Sequence, residues 1–192
     1  MDQNVVLIAI VAALIVVAAI AWLMWQRQRS SRLRERFGTE YQRHVEEVGS
    51  VRAAEAELAR RERRVARFHI RPLTPEDATR FAAQWEAIQA KFVDAPHGAV
   101  TDADKVIGEV MLARGYPVGD FEQQVADISV DHPDVVINYR AAREIADEHK
   151  RGEASTEDLR QAMVHYRALF RDLLETPAEA VPEADRVHAR RP

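Results

Sequence analysis

The chain has 192 residues, with 27 Lys+Arg against 31 Asp+Glu for a net charge of −4, seven His and no Cys. The missing Cys excludes a disulfide scaffold, a thiolate zinc site, an iron–sulfur cluster and a cysteine nucleophile. Seven Gly and eight Pro are too few for a collagen-like or low-complexity chain, and the length suits one compact domain plus a stalk.

Residues 1–4 form a short N-terminus whose only charged side chain is Asp2. Residues 5–25 follow without a charge, and twelve of these 21 are Leu, Ile or Val. As a helix they span about 31 Å, close to the hydrocarbon thickness of a bilayer. Their insertion into lipid is worth on the order of −5 kcal/mol. Trp22 and Trp25 lie at one end, where amphipathic rings favour the headgroup level. A cleaved signal peptide is the rival, with Ala19-Ile20-Ala21 as a cleavage pattern. No Lys or Arg precedes the apolar run, however, and the run exceeds an ordinary signal core. An uncleaved transmembrane helix is the expectation, with the lipid bilayer as its partner. Arg27, Arg29, Arg32, Arg34 and Arg36 follow, opposed only by Glu35. Basic residues flanking a span stay inside, so the expected topology is a single pass in the cytoplasmic (inner) membrane, N-terminus outside and body in the cytosol. Trp22, Trp25, Arg27 and Arg29 are the expected membrane-interface residues.

Residues 26–73 read as a basic collar and a helical stalk with a linker. Gly38 interrupts the first helix, and Thr39 with Gln42 makes a capping box. Ala, Glu and Arg then predominate up to Arg67, which predicts a 29-residue rod about 43 Å long. Heptad steps from Phe37 give Tyr41, His44, Val48, Val51, Glu55, Leu58, Glu62 and Val65. That seam is interrupted by two glutamates, so a stalk packing on the body and a coiled-coil homodimer fit equally. The run Arg60, Arg61, Arg63, Arg64 and Arg67 reads as a solvated, dipole-compensating face, or one docked on the body.

Residues 74–176 predict an all-α bundle of about five helices. Thr74-Pro75-Glu76-Asp77 opens the first, with Ala78, Phe81, Trp85, Ile88 and Phe92 along one face. The second starts near Pro96, places Ala99, Ala103, Val106, Ile107, Val110 and Met111 inward, and stops at Arg114-Gly115-Tyr116-Pro117. Asp120 caps a short third helix through Val125 and Ile128. His132-Pro133 opens a fourth with Val135, Val136, Tyr139, Ala142 and Ala146 inward, and Ser155 caps a fifth carrying Leu159, Met163, Tyr166, Phe170 and Leu173. Residues 177–192 are Pro, Ala and charge, and read as a disordered tail. Residues 68–176 hold 12 Lys+Arg against 20 Asp+Glu, a balance of −8, whereas residues 26–38 carry +4. The collar is drawn to anionic lipid and the body is repelled from it.

No phosphate loop, nucleophile elbow or HExxH is present, and no His falls in Glu-x-x-His spacing, so no catalytic residue, metal ligand or cofactor is assigned. Glu144, Asp147, Glu148 and His149 read as a solvated helix end. Nucleic acid is not an expected partner of so acidic a body. Arg114, Tyr116, His132 and Tyr139 are the candidate interaction residues, since Tyr and Arg are favoured interface anchors.

Leu33-Arg34-Glu35-Arg36-Phe37-Gly38, Ile70-Arg71-Pro72-Leu73, Phe92-Val93-Asp94, Arg114-Gly115-Tyr116-Pro117, Ser129-Val130-Asp131-His132-Pro133 and Ser155-Thr156-Glu157-Asp158-Leu159-Arg160 span residues 33–160. In these segments the chain resembles a family of bacterial, single-span, predominantly helical membrane-anchored proteins to which no activity is assigned. The resemblance implies an anchored helical protein and nothing about chemistry. The expected function is a membrane-tethered interaction module, an adaptor or scaffold for a protein partner. The alternatives are an enzyme or ligand-binding bundle whose site joins distant residues such as His132, Tyr139 and His165, and an extracytoplasmic helical protein.

Overall fold

The computed structural model describes residues 3–117 and 119–175. Among them there are seven helices and no strand: α1 (Gln3–Val48), α2 (Val51–Val65), α3 (Pro75–Asp94), α4 (Pro96–Arg114), α5 (Phe121–Ile128), α6 (Pro133–Lys150) and α7 (Thr156–Glu175). The fold is all-α. The expected disordered tail, 177–192, lies outside the described residues. The chain divides into two compact units, Met1–Arg60 and Arg61–Pro192.

In the first unit, one stretch of α1 is long and apolar enough to cross a membrane: its mean hydropathy reaches 1.5 and none of that window is buried. Leu14, Ile15 and Val17 are each more than 60 % exposed, which for bulky aliphatic side chains in water is strongly unfavourable. A membrane span and a signal sequence both meet these conditions of length and composition. Gly38 breaks the helical path, with φ 46° and ψ −124°, at the position where the sequence predicts a break.

The predicted 29-residue rod from Thr39 does not form. Gly49 adopts φ 70°, its N–H donates to the Val45 carbonyl at 2.9 Å, and a new helix begins at Val51. A glycine in the left-handed region is a helix stop, which outweighs the helix propensity of its neighbours. Ser30 Oγ and Tyr41 OH both donate to the same Glu55 oxygen, at 2.6 and 2.8 Å. One carboxylate of α2 therefore grips α1 on either side of the Gly38 break. Of the heptad positions, Phe37, Tyr41, His44 and Leu58 are buried while Val48 and Val51 stay exposed. Glu55, which interrupts the seam as a heptad residue, has its partners within the chain.

The second unit carries the five-helix bundle. Every predicted start from Thr74 onward is used. Thr74 Oγ1 accepts from the Asp77 N–H at 3.1 Å, Asp120 from the Gln123 N–H at 3.0 Å, and Ser155 Oγ from the Asp158 N–H at 3.2 Å. Pro75, Pro96 and Pro133 each occupy the first helical turn, where a missing N–H costs nothing. Helix α4 lies centrally, packed against α3 on one side and α7 on another; α6 packs on α7, and α5 on α6. Phe81, Trp85 and Ile88 of α3, Ile107, Val110 and Met111 of α4, and Leu159, Tyr166, Phe170 and Leu173 of α7 share one core. Trp85 and Phe170 stack with centroids 4.7 Å apart. Ala78 and Phe92, predicted on the inner face of α3, sit half-buried at its margin.

Candidate functional site

The last carbonyls of a helix have no partner inside it. At the end of α4 all four are provided for. Tyr116 N–H donates to Met111 at 3.0 Å and Gly115 N–H to Leu112 at 3.0 Å. Arg71, from the extended segment before α3, donates its Nε to Ala113 at 3.1 Å and its backbone N–H to Arg114 at 2.9 Å. Gly115 makes this closure at φ 95°, and a Cβ placed on it would lie 2.3 Å from the His69 carbonyl oxygen. Both the backbone angle and the space require glycine here.

The closure turns Arg114 inward. It is 1 % exposed, and its Nη1 donates to the Leu173 carbonyl at 2.5 Å, near the C-terminal end of α7 where a cation suits the helix dipole. Burial pulls the Arg114 pKa down, opposed by Tyr116, Asp172 and Asp131, and the guanidinium stays charged. Tyr116 OH donates to Asp131 at 2.8 Å. His132 Nδ1 contacts the Asp172 carboxylate, and the His132 ring meets Tyr116 edge-on with centroids 6.2 Å apart. Three of the four candidate interaction residues, Arg114, Tyr116 and His132, thus converge in one polar cluster that joins the ends of α4 and α7 to the start of α6.

Its arginine, tyrosine and histidine are interior, while the carboxylates of Asp131 and Asp172 are half-buried at its edge. Tyr116 is 1 % exposed and His132 3 %, so contact between these side chains and a partner requires the body to open. Asp172 on Nδ1 of a histidine is the arrangement that orients a general base. Here Nε2 is buried with no hydrogen-bond partner, and the hydroxyl of nearby Ser129 donates to the Ala126 carbonyl at 2.8 Å. What the arrangement does in this state is join three helices.

Tyr139, the fourth candidate, is buried elsewhere. Its OH donates to Gln124 at 2.9 Å and its ring meets Phe121 edge-on at 5.1 Å. Beside it Asp104 receives Tyr166 OH at 2.9 Å and Arg143 Nη1 at 2.7 Å, so one carboxylate of α4 links α6 and α7. These groups border a surface groove of about 360 Å³ lined by Asp104, Lys105, Gly108, Leu112, Gln124 and Tyr139. A smaller groove of about 240 Å³ lies between α3 and α7, with Phe92, Met163, Val164, Arg160 and Arg167 on its walls. His132, Tyr139 and His165 make no hydrogen bond to one another: His165 pairs with Asn138 at 2.9 Å, and the others have the partners named above.

The Trp22, Trp25, Arg27 and Arg29 side chains are all exposed, with the Arg29 guanidinium 5.8 Å from the Trp25 ring centroid. Within the arginine run, Arg64 donates to buried Asp127 at 2.9 Å and lies over the Phe68 ring, so this side chain docks on the body rather than facing solvent alone. The sequence gives no sign that His97 and His149, 52 residues apart, face each other with their Nδ1 atoms 3.1 Å apart. Among the described residues no three His, Asp or Glu gather in a metal-binding group.

Burial raises the phenol pKa of Tyr116, Tyr139 and Tyr166 far above 10.0, with Asp131 or Asp104 adding to the effect. Each group binds its proton more tightly folded than unfolded. Its contribution to stability is complete below pH 10.0 and is lost as pH rises through the folded value. Alkaline titration is therefore expected to release these three phenolates together with loss of helicity. Absorbance of more than one of the chain's four phenolates rising well before the far-ultraviolet circular dichroism falls would contradict their burial.

No protein-family model, curated protein or solved structure matches this chain.

Proposed function

We propose that the protein is a single-pass membrane-tethered interaction module, holding an acidic helical body in the cytosol for a protein partner. The observation that carries this reading is the juxtaposition of an unburied apolar stretch of α1 with five arginines directly after it. The apolar stretch gains its burial from lipid, and the arginines fix the side on which the body lies. The body's balance of −8 keeps it off anionic headgroups and available to partners in solution. Its buried polar groups tie helix to helix, which supports a scaffold over an open reaction site. The grooves that line Leu112 and Lys105, and Phe92 and Arg167, are the surfaces it offers. In this reading the inner membrane of a bacterium is the setting, in keeping with the resemblance noted from the sequence.

A reporter active only in the cytosol, fused after Pro192, tests the proposal. Activity is expected in the membrane fraction. Substituting Arg27, Arg29, Arg32, Arg34 and Arg36 together by Glu is expected to reduce the fraction of active molecules several-fold by weakening the positive-inside signal. A silent fusion of the parent chain, or activity in a mature soluble form lacking residues 1–25, overturns it.

A further inference from the structure

We propose that His97 and His149 form a two-nitrogen site for a first-row divalent cation, with Zn²⁺ the representative ion. His97 lies in the first turn of α4 and His149 in the last turn of α6. Their Nδ1 atoms are 3.1 Å apart, and the rings are tilted by 32° with centroids at 4.5 Å. A zinc–imidazole bond is about 2.0–2.1 Å, which sets two nitrogens on one tetrahedral ion about 3.3 Å apart. Two adjacent positions at a right angle, as Cu²⁺ favours, are about 2.9 Å apart. The observed separation falls between these values. Without a cation one Nδ1–H donates to the other ring at this distance; both nitrogens present lone pairs to a cation when each imidazole carries its proton on Nε2.

The surroundings suit an exchangeable site. His97 is exposed and His149 half-buried, so water reaches the remaining coordination positions, and no third His, Asp or Glu completes the set among the described residues. The C-terminal end of α6 supplies partial negative charge; the first turn of α4 opposes it. Lys91, whose Nζ lies 3.0 Å from where a Gly98 Cβ would be, has its charge offset by Asp102 at 2.6 Å. The acidic balance of the body raises the local concentration of cations. A bound ion would connect α4 and α6 at one end of a pair that Asp104 and Arg143 already connect by an ion pair.

The test uses the full chain in detergent micelles with ZnCl₂ as the only added metal. Equilibrium dialysis is expected to show binding that chelator reverses, with the dissociation constant raised about tenfold or more in His97→Gln and equally in His149→Gln. No zinc binding by the parent chain, or undiminished binding by both variants, overturns the site. A second measurement needs no variant. Electron paramagnetic resonance of Cu²⁺ added at one equivalent is expected to show two imidazole nitrogens on the ion; one or none overturns the pairing.

Discussion

Gly115→Ala is expected to destabilise the bundle by about 3 kcal/mol or more, seen as a lowered denaturant midpoint with an unchanged slope. A non-glycine residue held at φ 95° costs about 1–2 kcal/mol by backbone conformation alone. The added methyl also meets the His69 carbonyl, 2.3 Å from oxygen and 3.1 Å from carbon. That neighbour is backbone and cannot swing aside as a side chain would. To relieve the overlap, the extended segment has to move off α4, taking with it the two Arg71 hydrogen bonds, each worth about 1 kcal/mol net. Gly108→Ala is the control within the same helix: beyond its own turn of helix nothing lies within 4 Å of its Cβ position, so no loss of stability is expected. Equal tolerance of the two substitutions would contradict the closure described at Gly115.

Arg114→Ala is expected to cost about 3–4 kcal/mol. The substitution removes the donor that satisfies the Leu173 carbonyl and leaves a cavity where a fully buried side chain stood. It also withdraws the positive charge lying near Asp131 and Asp172. Arg114→Met separates these contributions, since it keeps most of the volume and none of the hydrogen bonding. The methionine variant is expected to recover less than half of the loss. Stability equal to the parent chain would show that packing alone, and no polar link, is needed there.

The bundle was legible because its signals are local. Each cap and each apolar stripe from Thr74 onward lies within a few residues of its consequence, and α3 to α7 begin at the predicted residues. The stalk was not legible. Gly49 is a modest propensity cost if it stays helical and a helix stop if it turns left-handed, and local sequence does not choose between the two. The candidate residues show the same limit. The residue types of the Arg-Gly-Tyr-Pro segment marked a special place, but whether Arg114 and Tyr116 point outward or inward depends on α7 and on Arg71, far away in the chain. The pairing of His97 with His149 has no signature in spacing, because tertiary packing alone brings the two helix ends together.

The dependence of Arg114 on Leu173 also bears on biosynthesis. A nascent chain emerging from the ribosome pairs α3 with α4 early, since the two are neighbours in sequence. Another side of α4, touched only lightly by α6, lacks its main cover until α7, the last described helix, has been translated. Until then Ile107, Val110 and Met111 lack much of their native packing and the guanidinium lacks its acceptor. The core around α4 is thus completed only when the last described helix arrives, and until then its apolar face is a surface prone to misassociation.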